Sequence, residues 1–142
     1  MLLHRLLVFG ALLVAGPAWP QQPAPSPAER AERRFPQPVR VGDLIRRQLL
    51  RPVVQQTVLG RVAGVARRPD GAVLLVVDVG GLLGFGTRPV AVPVEVVALL
   101  GEHVALMDLT PEQLEMLPTF QGGAIPVGPD ERIRVGLVRP FH

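Results

Sequence analysis

The sequence predicts a mainly β protein, a small antiparallel barrel of about six strands with one short C-terminal helix. Three observations predict it. Residues 73–93 read VLLVVDVGGLLGFGTRPVAVP, an aliphatic run broken only by Asp78, then a glycine-rich loop, then a second apolar run. A run of that length and β-branching suits a strand covered on both faces better than a helix. Pro69-Asp70-Gly71 precedes it as a turn, since Pro presets φ and Gly tolerates positive φ. Downstream, a helix signature occurs only at 110–117.

Composition sets the frame. The chain has 142 residues, room for one domain plus tails. Hydrophobic residues make up 48% and aromatics only 4%, so the core must be built from Val, Leu, Ala and Ile. All 15 basic residues are arginine, a bias that genome base composition explains without phosphate recognition. The absence of cysteine excludes disulfides, thiolate chemistry and Cys-ligated metals. A net charge of +3 is modest, and no nucleic-acid partner is expected.

In chain order, residues 1–18 carry a short basic region (His4, Arg5), an apolar run over 6–15 and the small-residue site Gly16-Pro17-Ala18. This is a secretory signal pattern with cleavage expected after Ala18, so the protein is expected to be periplasmic or secreted. The run falls short of the roughly twenty residues a helix needs to cross a bilayer. The alternative is an uncleaved anchor extended through Trp19. Residues 19–38 are rich in proline and are expected to form a disordered linker. Within and after them lie Arg30, Arg33, Arg34, Arg40, Arg46, Arg47 and Arg51, partly offset by Glu29, Glu32 and Asp43. They read either as a solvated, charge-balanced leader or as weak attachment to anionic lipid.

Residues 41–45 (VGDLI) are expected to enter the fold as a short strand or turn with Leu44 and Ile45 inward. Residues 51–55 give a first short strand. Residues 58–68 give a longer one, with Val58, Gly60, Val62, Gly64 and Ala66 sharing a face by period two and Arg61 and Arg67 solvated. Gly60 and Gly64 point to bulges or tight coiling. The Pro69-Asp70-Gly71 turn then makes an antiparallel hairpin with residues 73–79. Pro93-Val94-Glu95 reads as a turn, and strands follow at 96–100 and 103–108 around Gly101-Glu102. Thr110, Pro111 and Gln113 form the N-cap, first position and capping-box partner of a helix that stops before Pro118. Residues 132–138 either add an edge strand or remain a loose tail.

Catalytic chemistry is poorly provided for, and no catalytic, cofactor or metal residue is assigned. Ser26 lies in the linker, lysine and cysteine are absent, and His103 is the one internal histidine, beside a turn. Asp78, Glu95 and Asp108 are spread out, and Asp78 is expected to accept N–H bonds from the following loop. The loop glycines run GxxGxG, the reverse of a dinucleotide fingerprint, and a strand follows where a phosphate loop would need a helix. Leu82, Leu83 and Phe85 either plug one end of the barrel or form an exposed partner contact rimmed by Arg88.

The blocks VGDLI from Val41, DGAVLLVVDVGGLLGFGTRPVAVP from Asp70 and DLTPEQLEMLPTF from Asp108 together resemble the PRC-barrel domain, a family named for the photosynthetic reaction-centre H subunit. The resemblance covers residues 39–120 and leaves 121–142 as a Gly/Pro-rich extension. It implies a mostly antiparallel barrel used for protein–protein contact and assembly, with no shared active-site motif. The expected function is an exported, non-enzymatic module binding a protein partner, or a second copy as a homo-oligomer, in the cell envelope. The alternative is an anionic-lipid binder acting through the arginine-rich leader, and an RNA or ribosome-maturation role conflicts with export.

Overall fold

In a computed structural model, residues 16, 17, 19–51, 56–81 and 85–138 are described. Residues 1–15 and 18 of the signal segment, residues 52–55 and the loop leucines Leu82 and Leu83 lie outside them. The chain runs α1 (Pro27–Glu32), β1 (Gln37–Arg40), α2 (Val41–Leu44), β2 (Gln48–Arg51), β3 (Thr57–Arg67), β4 (Val73–Val79) and β5 (Arg88–Pro93). A 3-10 turn at Val94–Val96 leads to β6 (Val97–Leu100), β7 (His103–Leu106), α3 (Pro111–Met116), β8 (Ile125–Pro126) and β9 (Arg132–Leu137). The fold is mainly β. Among the described residues no helix is long and apolar enough to cross a membrane.

The strands form one sheet in the order β1-β9-β6-β7-β2-β3-β4-β5, with β8 pairing on β3. Its two ends, β1 and β5, are not joined, so the sheet is open where a closed six-stranded barrel was expected. Nor is it purely antiparallel, because β2 pairs parallel with β7 and β6 parallel with β9. Parallel neighbours need long crossover connections. Both joins link segments far apart in the chain, where turn residues carry no signal.

The hairpin of β3 and β4 is built as the turn residues dictate. Asp70 Oδ1 accepts from Ala72 N at 2.9 Å, and Gly71 adopts φ 89°. The register shifts between Val62 and Gly64, which marks a bulge. The bulge moves the buried phase from Val62 to Val65, and Val58 is 53% exposed. Strict period-two alternation over 58–66 therefore fails at the bulge. At Gly60, a Cβ would run into the Asp78 carbonyl and the Val77 side chain, whereas at Gly64 it would meet open space.

Strand β5 is an edge made safe by proline. Pro89 O accepts from Phe120 N at 2.7 Å, so residue 89 faces away from β4, and Pro93 has the same parity. The missing N–H groups of both prolines thus fall where β4 offers no acceptor. Val90 and Thr119 form a bridge that covers part of this edge.

The leader joins the fold. Ser26 caps α1 through a capping box with Glu29, and Pro27 stands in its first turn. Residues 37–40 pair with β9, which places β9 inside the sheet between β1 and β6. The span 19–38, expected to be a disordered linker, thus holds α1 and the first half of β1, and the sheet strands β8 and β9 lie beyond the expected 39–120 domain. Pairing partners a hundred residues apart decide both. Of the expected short strand or turn at 41–45, the chain makes a turn, the helical turn α2. This buries Val41 and Leu44 at i and i+3 and leaves Ile45 37% exposed, not inward.

One aliphatic core draws on nearly every element, including Leu44, Leu49, Val62, Leu75, Val77, Val104, Leu114, Ile133 and Val135. No described polar side chain is buried in it. Two measurements check this packing. Gly60→Ala is expected to cost about 1–3 kcal/mol through overpacking, while Gly64→Ala is neutral or slightly stabilising; equal thermal shifts would remove the close approach. Ile133→Ala is expected to cost about 2–5 kcal/mol in urea unfolding, whereas a loose tail would leave stability unchanged.

Candidate functional site

The glycines of the loop after β4 serve backbone geometry. Gly80, Gly81 and Gly86 adopt φ of 74°, 78° and 73°. A Cβ on Gly81 would meet the Phe85 carbonyl and the Thr87 backbone, so the loop closes on its own base. Asp78 lies in β4 opposite Arg61 and Pro89, and its side chain makes no hydrogen bond or ion pair with another described residue. Its expected bonds to loop residues 82–84 lie outside the described residues.

Where β5 begins, Arg88 is half-buried and faces α3. Its Nη1 donates to Leu117 O at 2.6 Å, and its Nη2 donates to Glu115 O. A short helix leaves its last carbonyls without intrahelical partners, and this guanidinium satisfies two from that stretch. Arg88 is thus a clasp tying α3 to β5, not the free polar rim that its position in the sequence suggested. Thr110 caps the same helix at its other end through Gln113, as its signature predicted.

The clasp leaves two large apolar side chains in solvent. Phe85, three residues before Arg88, is 81% exposed and does not plug the fold. Met116, between the two carbonyls that Arg88 holds, is 82% exposed. Its exposure escaped sequence reasoning, although the capping box fixes the helix phase that buries Leu114 and turns residue 116 outward.

The arginines of the leader do not form one free patch. Arg34 Nη2 meets Asp108 Oδ2 at 2.5 Å, and Arg30 Nε meets Oδ1 at 2.9 Å. Arg34 also donates to Glu95 O at 3.3 Å. Gly136 permits this approach, since a Cβ there would stand 2.9 Å from Arg34 Cβ. Arg40 pairs with Asp130 at 3.2 Å, and Arg47 donates to Asp43 O and Gly101 O at 2.6 and 3.1 Å. Four of the leader arginines are therefore engaged within the molecule. At the start of α1, hydrogen bonds from Ser26 hold the Glu29 carboxyl below the usual carboxylate range. The cap is complete above the unfolded carboxylate's range and fades as acid passes through the lowered value.

Among the described residues, no three His, Asp or Glu side chains come together as metal ligands. His103 stands half-buried at the start of β7, opposite Leu100. No family model, curated protein or solved structure matches this chain. The function is therefore read from the surface itself.

Asp108 offers a direct check on the docked leader. Its side chain is 12% exposed, so Asp108→Asn leaves two guanidiniums without their counter-charge. The expected loss is about 1.5–3 kcal/mol, with faster tryptic cleavage at Arg30, Arg33 and Arg34. Unchanged cleavage would show that the ion pairs do not hold α1.

Proposed function

We propose that this chain is an exported, non-enzymatic interaction or assembly module built on a PRC-barrel-like sheet. It meets a protein partner in the cell envelope through the end of the sheet that carries Phe85 and Met116. The observation behind this reading is that both side chains stand more than four-fifths exposed beside the Arg88 clasp. Large apolar groups presented on a fixed backbone lose little conformational freedom on association and gain burial there.

Export rests on the signal pattern of residues 1–18. The family resemblance draws support from the way its blocks come together. VGDLI contributes Val41 and Leu44 to the core, the hairpin contributes Leu75, Val77 and Val92, and the capped helix contributes Leu114. The non-enzymatic part rests on residue types, with cysteine and lysine absent and the single serine in the leader. The lipid reading through the leader draws less support, because Arg30, Arg34, Arg40 and Arg47 are occupied within the protein.

Photo-crosslinking in intact cells tests the surface. A crosslinking residue at 85 or 116 is expected to give the same adduct with a protein partner, and one at 132 none. Phe85→Asp with Met116→Asp should abolish partner recovery by affinity-tagged protein with unchanged thermal unfolding. Adducts from all three positions, or none from a folded protein, would defeat the proposal.

A further inference from the structure

The sheet carries a second, chemically different feature, built from other residues than the Phe85–Met116 end. Register sets Gln48 of β2 opposite Arg61 of β3, and Arg61 opposite Asp78 of β4. The parallel pairing of Leu49 with Val104 brings His103 of β7 level with Gln48. A polar row thus crosses four adjacent strands at one level.

Just before β2 the chain turns a corner onto this row. Arg46 N donates to Val62 O at 2.8 Å, and Val62 N donates to Arg47 O at 2.9 Å. These bonds fix Arg46 at φ 72°, in the left-handed region. Arginine is strained in that conformation, and asparagine or glycine would fit the backbone better. The corner brings Arg46 and Arg47 alongside Gln48, Arg61 and His103. Together with Ile45 and Glu102 they line a groove of about 370 Å³.

The three guanidiniums are not equivalent. Arg47 is held in place by the carbonyls of Asp43 and Gly101. The guanidiniums of Arg46 and Arg61 have neither a hydrogen bond nor an ion pair among the described residues. Asp78 stands across from Arg61 without closing an ion pair, and Glu102 offsets one of the three charges in the groove. A fixed cation, two uncommitted ones and the polar side chains of Gln48 and His103 therefore surround one space.

We propose that this groove binds a phosphate group, either as a free phosphate or phosphomonoester or as a phospholipid headgroup. Arg46 and Arg61 grip its oxygens through charge-assisted hydrogen bonds. Arg47 supplies fixed positive potential, and Gln48 and His103 add donors. Planar guanidinium forks match a tetrahedral oxyanion with two or more negative oxygens better than they match chloride. The site uses other residues than the Phe85–Met116 end, so either proposal can fail alone.

Titration of the whole chain with inorganic phosphate, against chloride at equal ionic strength, tests it by amide chemical shifts. Saturable shifts at Arg46, Arg61 and His103 with phosphate alone are expected. Arg46→Asn keeps a residue suited to positive φ, so its fold should persist while affinity falls about tenfold or more. Arg61→Gln should do the same, and Arg33→Gln should bind as before. Flotation with phosphatidylglycerol vesicles, against phosphatidylcholine, separates the sources. Vesicle binding lost in Arg46→Asn and Arg61→Gln assigns a headgroup, and phosphate binding without vesicle binding assigns a soluble ligand. Equal responses to phosphate and chloride, or phosphate binding that survives both variants, would overturn the site.

Discussion

The register shift between Val62 and Gly64 is the constraint on which the sheet depends. β3 alone pairs with three other strands, and no straight strand could serve them all. Before the shift it carries β2, after it β8 takes the same edge, and β4 runs along the other side. No described polar side chain is buried in the core, so backbone pairing and aliphatic burial must both be met by bending this strand. Gly60 lets β4 come close on one side of the bend, and Val62 holds the Arg46–Arg47 corner on the other. The polar row across the outer face is a consequence of that same bend.

What could be read from the residues alone follows the range of each interaction. The β3–β4 hairpin was legible because the neighbouring residues Pro69, Asp70 and Gly71 decide it locally. The helix at Thr110 was legible for the same reason. Ser26-Pro27-Ala28-Glu29 carries the same capping signature, yet the surrounding prolines argued for disorder, and Arg34 on Asp108 is what fixes that helix against the sheet. No local pattern could announce that partner, which lies 74 positions away. The two parallel joins and the placing of β9 between β1 and β6 share this character. Ile45 and Val58 were misplaced for a different reason. A helical turn and a bulge each shift side-chain phase, and alternation was carried straight through both.

The candidate site divides along the same line. Phe85 and Arg88 were visible as loop residues, but the partner of Arg88 is a pair of carbonyls on α3. Its value at the site is therefore mechanical, holding the backbone on which Phe85 and Met116 stand. Arg46 was visible as a member of the arginine cluster and Arg61 as a solvated strand residue, with nothing local to join them. Their meeting depends on the corner at Val62, so composition could not separate them from the arginines spent on Asp108, Asp130 and Gly101.

A chain with few aromatic rings and no lysine has to use arginine for long-range attachment. Each fork can satisfy carbonyls that a short helix or turn leaves open, as at Leu117, Glu115, Glu95, Asp43 and Gly101. Such bonds join backbone oxygens to a planar, charged fork with several N–H donors. Base composition can account for the absence of lysine, but it cannot choose which guanidiniums have partners. An arginine whose fork is filled is part of the scaffold, and its charge is little available to an external surface. Arg46 and Arg61 have unfilled forks, and Arg46 occupies a backbone conformation that other residues adopt at lower cost. That combination separates a binding element from a solvated charge more sharply than net charge does.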